Sequence, residues 1–197
     1  YIKVLELSET RSGGYSLVNF GMKKLPPEAI VDGALMNTSI IVEAIRELFT
    51  THKIKTRDTV TSVAGNSVII KKINLPVMSQ DELEESIQWE AEQYIPFDIN
   101  DVNIDTQILN AAGDESGQME VLLVAAKKDM INDYVAIVQD AGLNPVVMDV
   151  DTFAVENMFE VNYDVVPGET VVLIDIGASI ININVLRDGV TAFTRDI

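Results

Sequence analysis

The residues whose types and spacing are best suited to binding a ligand follow an apolar stretch near the end of the chain. Residues 170–174 read as a buried strand that runs directly into Asp175-Ile-Gly177-Ala178-Ser179. Glycine lets the main chain turn tightly and approach a ligand closely, and successive N–H groups in such a turn can point at phosphate oxygens. An acid at a strand end can hold Mg²⁺ through water. The segment therefore predicts a phosphate-binding turn for a nucleoside triphosphate, with Asp175 as the magnesium residue.

The same turn also has a plain structural explanation. Asp-x-Gly is a common sequence, and an aspartate readily caps an ordinary tight turn. Its position between two strands of a meander favours phosphate binding without excluding the ordinary turn. On these residues alone, both interpretations stay open.

An internal repeat supports the phosphate-binding interpretation. From Ser179 onward the sequence predicts a strand, a turn at residues 188–189 and a second strand, and the chain from Tyr1 repeats this order around residues 12–14. Two such units suggest a duplicated fold. Only the later unit is preceded by a strand and an Asp-x-Gly loop. We therefore expect the natural protein to carry a first phosphate loop before Tyr1 and to continue beyond Ile197.

The elements that must position the turn are predicted from the spacing of apolar residues. Short or alternating apolar runs predict strands at 1–8, 14–22, 59–63, 67–75, 102–109, 119–126, 146–150, 170–174, 180–186 and 190–194. Helical spacing predicts α-helices at 37–51, 79–95, 129–141 and 151–159. Ser79 and Glu82 predict a capping box at the start of the second helix, and a turn is expected between Gly113 and Gly117.

The middle of the chain predicts a separate structural piece. Between residues 65 and 145 the predicted order is βαββαβ, which is typical of a compact sheet with two helices on one face. The opening hairpin and the later meander lie on either side of it in the sequence. We therefore predict an α/β fold that carries an inserted βαββαβ subdomain.

The charge of the chain restricts its partners. Acidic residues outnumber basic ones by 31 to 14, which gives a net charge of −17. This charge repels phosphate backbones and anionic lipid headgroups, so nucleic acid and bare membrane are poor partners. A basic or neutral partner segment is favoured instead. No apolar run approaches the roughly 18 residues that a bilayer span requires, so a cytoplasmic location is expected, with contact to a membrane only through partners.

Cysteine and histidine usage excludes several kinds of site. The chain has no cysteine, which excludes disulfides, thiolate metal sites and cysteine nucleophiles. Its single histidine, His52, cannot form a histidine-based zinc site by itself and is interpreted as a solvated residue at a helix end.

Trp89 is the only tryptophan and a candidate partner-binding residue. At about 100° per residue, it lies nearly opposite the apolar stripe of Leu83, Ile87 and Ala91 on the second helix. One interpretation is packing against an adjacent subdomain. The other is an aromatic anchor for a partner, since tryptophan is enriched at interface hot spots.

One stretch of the chain is unusually specific, Glu90-Ala-Glu-Gln-Tyr-Ile-Pro96. Further informative stretches lie at residues 68–76, 121–127, 141–154 and 173–178. With these stretches the chain resembles the actin-like ATPase superfamily and, within it, the PilM family of type IV pilus assembly. The resemblance covers nearly the whole chain.

The resemblance implies a fold, a cofactor and a partner. It implies the actin-like, ribonuclease H-like fold with an FtsA-type insertion, and ATP with Mg²⁺ bound between two halves of the full-length protein. Asp175, Gly177, Ala178 and Ser179 match the second phosphate loop, whereas the first phosphate loop and the adenosine loop have no counterpart in this sequence. The implied partner is the N-terminal cytoplasmic peptide of the membrane protein PilN, and self-association is compatible with the family.

The resemblance and the element order together predict four segments. Residues 1–64 are the first part of the first actin-like subdomain, and residues 65–145 are the inserted subdomain. Residues 146–168 return to the first subdomain, and residues 169–197 begin the second actin-like subdomain.

The predicted role is an assembly scaffold with at most weak ATPase activity. One alternative is a cell-division scaffold of the FtsA type, which would need a C-terminal amphipathic membrane helix that these residues do not contain. The other is a small-molecule phosphotransferase of the same superfamily. Such an enzyme needs a general base near the γ-phosphate, and Asp175 would already be engaged with Mg²⁺.

Overall fold

A computed structural model describes residues 1–11, 13–31, 33–110 and 117–197. Within these residues the strands are β1 Ile2–Glu9, β2 Tyr15–Lys23, β3 Ile30–Val31, β4 Ala34–Leu35, β5 Asp58–Val63, β6 Val68–Pro76, β7 Val102–Asn110, β8 Gln118–Lys127, β9 Asn144–Val150, β10 Thr170–Ile176, β11 Ile181–Arg187 and β12 Val190–Asp196. The α-helices are α1 Thr38–Thr51, α2 Gln80–Ala91, α3 Lys128–Asp140 and α4 Asp151–Asn162. Short 3-10 turns span Pro27–Ala29 and Ile99–Asp101.

The chain divides into two compact units. The first comprises residues 1–62 and 132–149, and the second comprises residues 63–131 and 150–197. Both units combine strands with at least one helix, so the fold class is mixed α/β, as the sequence predicts.

Among its described residues, the first unit contains three two-stranded sheets, helix α1 and most of α3. β1 pairs antiparallel with β2, β3 pairs antiparallel with β4, and β5 pairs with β9. The Asn37 side chain accepts a hydrogen bond from the main-chain N–H of Ile40 and thereby caps the start of α1. The buried face of α1, with Ile41 and Phe49, shares one apolar core with Ile137 of α3. Burial of these apolar side chains stabilises the unit.

The second unit contains two three-stranded antiparallel sheets. One has the order β6-β8-β7, and α2 packs on it through the buried residues Leu83, Ile87 and Ala91. The other has the order β10-β11-β12 and makes contact with α4. The second sheet presents the Asp-x-Gly segment where β10 turns into β11.

Most of the predicted elements are confirmed within a few residues of their predicted ends. Ser79 and Glu82 form the predicted capping box at the start of α2. The helix ends at Ala91, earlier than predicted, and the Gln93 and Tyr94 amides donate to carbonyls only three residues back, as in a tight turn. The turns predicted at residues 12–14 and 113–117 include residues that lie outside the described part of the chain.

One packing prediction is wrong. The sequence predicts two helices on one face of the inserted sheet, but among the described residues the core of that sheet includes side chains of α2 and none of α3. The buried residues Ile137 and Val138 of α3 belong to the core of the first unit, and β9 pairs with β5. Helical periodicity specifies an apolar face but not the surface that the face will cover. The boundaries of the four predicted segments stay a prediction.

His52 is also less solvated than predicted. It is the C-terminal cap of α1, and its exposure is intermediate. A Cβ atom at Gly21 would lie 2.6 Å from the imidazole ring. The ring therefore packs directly over the glycine of β2.

Candidate functional site

The Asp-x-Gly turn lies between two paired strands. Asp175 is the second-last residue of β10 and pairs with Asn182 of β11. The main-chain N–H of Gly177 donates to the carbonyl of Ile180 over 3.0 Å. This hydrogen bond closes the turn that the sequence predicts at the end of β10.

Glycine at position 177 is required by crowding. A Cβ atom there would lie 2.8 Å from the carbonyl oxygen of Ile180, which is closer than ordinary van der Waals contact. Any side chain would therefore force the turn apart. The requirement fits the ordinary tight turn and the phosphate-binding turn equally well, so it does not choose between them.

The next two residues leave donors available. Ala178 and Ser179 are exposed, and among the described residues no hydrogen bond occupies the main-chain N–H of either one. Exposed main-chain N–H groups at consecutive positions can cradle an anion. Asp175 is exposed as well, so its carboxylate is accessible to a cation held through water.

Polar residues missed by the sequence analysis lie beside the turn, on the side of the sheet that faces α4. Asn182 and Asn184 alternate along β11 and are 6% and 2% exposed. The Asn182 amide donates to Oδ1 of Asp196 over 2.8 Å. Their signal in the sequence was the Ile-Asn-Ile-Asn alternation, which places asparagines on one face of an otherwise apolar strand.

A second polar cluster joins α4 to the same sheet. Oε2 of Glu156 accepts hydrogen bonds from the Asn184 amide at 2.7 Å and from the Thr191 hydroxyl at 2.6 Å. Thr191 is buried like Asn184. Two buried donors thus converge on one carboxylate oxygen and fix the Glu156 side chain in place.

A cavity of about 280 Å³ borders this cluster within the second unit. Its apolar part includes Ile108, Leu122 and Phe153, and its carboxylates are Glu156 and Glu160. No lysine or arginine is among its described lining residues. The cavity therefore offers a negative, partly apolar surface, which complements a basic or neutral segment.

Other predicted sites are separate from the turn. Trp89 is 76% exposed on α2, so its packing against an adjacent subdomain has no support among the described residues, and its role as a partner anchor stays a prediction. No group of three or more histidine, aspartate or glutamate side chains within the described part of the chain is arranged to hold a metal ion. Among the helices that the structure describes, none is both long and apolar enough to cross a bilayer.

Comparisons with solved structures support the predicted fold. The chain matches a chain of the PilM-PilN type IV pilus biogenesis complex with a TM-score of 0.88 and 29% sequence identity, over 99% of its own length. It spans 57% of the length of that matched chain. It also matches the cytoplasmic domain of EpsL, an inner-membrane component of the type II secretion system of Vibrio cholerae, with a TM-score of 0.58 and 12% identity. That match covers 100% of this chain and 66% of the EpsL domain. The predicted actin-like α/β fold is confirmed.

The family model for the type IV pilus assembly protein PilM matches residues 1–197, which is the whole sequence. This match agrees with the resemblance drawn from the sequence and favours pilus assembly over cell division. The chain therefore belongs to the PilM family.

Proposed function

We propose that this chain is part of a cytoplasmic scaffold of type IV pilus assembly, which docks the N-terminal cytoplasmic peptide of PilN. The observation that carries the proposal is the match at a TM-score of 0.88 to a chain of the PilM-PilN complex. It extends over 99% of this chain, so the described surfaces correspond to surfaces of a protein that assembles with PilN.

The electrostatics of the chain are consistent with this partner. The net charge of −17 favours a basic or neutral segment over an acidic one. The lining of the cavity beside Glu156 and Glu160 combines these negative charges with apolar side chains. An extended peptide gains specificity when its side chains enter apolar pockets of this kind.

Titration of the PilN N-terminal peptide into the protein that carries this chain tests the docking proposal. Isothermal titration calorimetry should detect saturable 1:1 binding. A peptide of the same composition in scrambled order serves as the control, because it keeps the charge and loses the sequence. Equal heats from both peptides, or none from either, would remove the proposal.

We also propose that the full protein binds ATP with Mg²⁺ and that the Asp175–Ser179 turn contacts its phosphates. Ala178 and Ser179 are exposed residues whose main-chain N–H groups make no hydrogen bond among the described residues, which suits phosphate oxygens, and the exposed Asp175 suits a hydrated Mg²⁺ ion. Bound Mg²⁺ would offset the charge of the phosphates beside this carboxylate. Nucleotide binding by the protein, measured with Ala178→Pro as a variant that lacks one of these N–H groups, tests the assignment. Unchanged affinity in the variant would exclude the Ala178 contact.

A further inference from the structure

The Asp-x-Gly turn contacts the loop that leads into β6. Gly65 is buried, and its φ of +88° lies in the region that glycine adopts readily. A Cβ atom at this residue would lie 2.9 Å from Cδ1 of Ile180, the last residue of the turn. The Gly65 carbonyl accepts the N–H of Val68 over 2.9 Å and forms the tight turn at which β6 begins.

One carboxylate joins these two loops. Oδ2 of Asp196 accepts the main-chain N–H of Gly65 over 2.9 Å. Its other oxygen, Oδ1, accepts the side-chain amide of Asn182 over 2.8 Å. Asn182 in turn pairs with Asp175 across β10 and β11. The two oxygens of Asp196 thus connect the base of the Asp-x-Gly turn to the start of β6.

Both bonds need a carboxylate. Gly65 and Asn182 each present an N–H donor, and an ionised aspartate offers an acceptor oxygen to both. An asparagine side chain has one oxygen and one NH₂ group, so it could accept only one of the two donors and would oppose the other. Hydrogen bonds to charged groups are also stronger than those between neutral groups.

We propose that Asp196 is a positioning residue that couples the Asp175–Ile180 turn to the Gly65–Val68 turn, so that the two loops open and close together. The proposal rests on the proposed phosphate contact, since it would let a ligand on the first turn be sensed at β6. Strand β6 of the sheet β6-β8-β7 begins at Val68, the last residue of the second turn. Coupling between two sites requires a structural element whose conformational equilibrium both sites shift.

Amide hydrogen exchange of the nucleotide-free protein tests the coupling. Exchange rates are compared for residues 64–70 and 176–181 in the wild type and in Asp196→Asn. We expect the variant to raise exchange in both segments, on the order of tenfold, which is the loss expected for one hydrogen bond to a charged group. Faster exchange at residues 64–70 with an unchanged rate at residues 176–181 would overturn the proposal.

The chain offers a matched control. Oδ1 of Asp188 accepts the main-chain N–H of Gly168, so Asp188→Asn also removes a carboxylate from a glycine amide, at a different turn of the same unit. It should leave residues 64–70 and 176–181 unchanged. Asn182→Leu is a second variant, for use if Asp196→Asn folds poorly. It removes the side-chain amide that donates to Asp196, and it should also raise exchange in both segments.

Addition of Mg²⁺ and ATP separates the two proposals. If nucleotide contacts the turn, the wild type should show protection at both segments and Asp196→Asn only at residues 176–181. If nucleotide protects neither segment, the phosphate contact fails, while the nucleotide-free comparison still decides the coupling. Protection of both segments in Asp196→Asn would contradict the positioning role.

Discussion

Val18 and Ala192 occupy equivalent positions in two hairpins. Each is the extra residue of a bulge in the second strand of its hairpin. In both hairpins the register shifts directly after the fifth residue of the first strand, which is Glu6 in β1 and Val185 in β11. A bulge bends and twists a strand in a defined way. The matching bulges support the internal repeat that the sequence predicts, in which the Asp-x-Gly turn precedes one copy.

Gly177→Ala tests whether the Asp-x-Gly turn needs a residue without a side chain at this position. The new Cβ atom would meet the Ile180 carbonyl at 2.8 Å, so we expect the free energy of unfolding to fall by about 1–3 kcal/mol. Gly14→Ala is the control, because the nearest atom to its Cβ is 3.5 Å away, an ordinary contact. Urea denaturation measures both variants, and equal losses would show that position 177 is not specially crowded.

Glu156→Ala tests the polar cluster between α4 and β11. The change leaves the buried donors of Asn184 and Thr191 without their acceptor, and we expect a loss of about 1–3 kcal/mol in the free energy of unfolding. Glu160→Ala removes the exposed carboxylate one turn further along α4 and should change stability by less than about 0.5 kcal/mol. Similar effects of the two changes, measured by urea denaturation, would argue that the cluster contributes little.

The capping box of α2 predicts a pH dependence. A hydrogen bond from the main-chain N–H of Ser79 and, to a smaller extent, one from its hydroxyl lower the pKa of Glu82 below its ordinary value of 4.5. A carboxyl group whose pKa is lower in the folded state stabilises that state above the unfolded pKa and loses this contribution as the pH falls through the folded pKa. Glu82→Gln should therefore flatten the fall in stability below about pH 4.5.

The measurement for Glu82 is the free energy of unfolding as a function of pH. Glu85→Gln is the matched control, since it removes a carboxylate from the same helix without touching Ser79. If Glu82→Gln and the wild type lose stability in parallel on acidification, the capping contribution of the carboxylate is refuted.

Trp89→Ala separates a partner contact from a structural one. The side chain is 76% exposed, so its removal should change the free energy of unfolding by less than about 0.5 kcal/mol. If it anchors a partner, affinity for the PilN peptide should fall by a factor of about ten or more. Leu83→Ala, at the fully buried position on the same helix, should instead cost about 2–5 kcal/mol of stability. Unchanged peptide affinity in Trp89→Ala would remove the anchor role.

The sequence predicts local structure well where a residue type acts on its neighbours in the chain through a single physical effect. Ser79 and Glu82 specify the start of α2, because a hydroxyl and a carboxylate at this spacing satisfy exposed N–H groups of the first turn. Alternating apolar residues specify the strands of the hairpins, because successive side chains of a strand point to opposite faces of the sheet. Such signals depend on neighbours in the chain and need no tertiary information.

The rest depends on contacts between distant residues. The core partner of α3 could not be predicted, because an apolar face does not name its target. The link from Asp196 to Gly65 joins residues 131 positions apart, and neither residue carries a motif. Asn182 and Asn184 alternate with isoleucines along β11, but their acceptors, Asp196 and Glu156, are set by the tertiary fold.

Cross-linking in cells tests our proposal that this chain belongs to a scaffold that holds the cytoplasmic tail of PilN. A photoreactive amino acid is placed at successive positions in that tail, and its covalent products are identified by mass spectrometry. We expect cross-links at a restricted set of tail positions to peptides from residues 1–197. Cross-links to other cytoplasmic proteins with none to this chain, in cells that assemble pili normally, would contradict it.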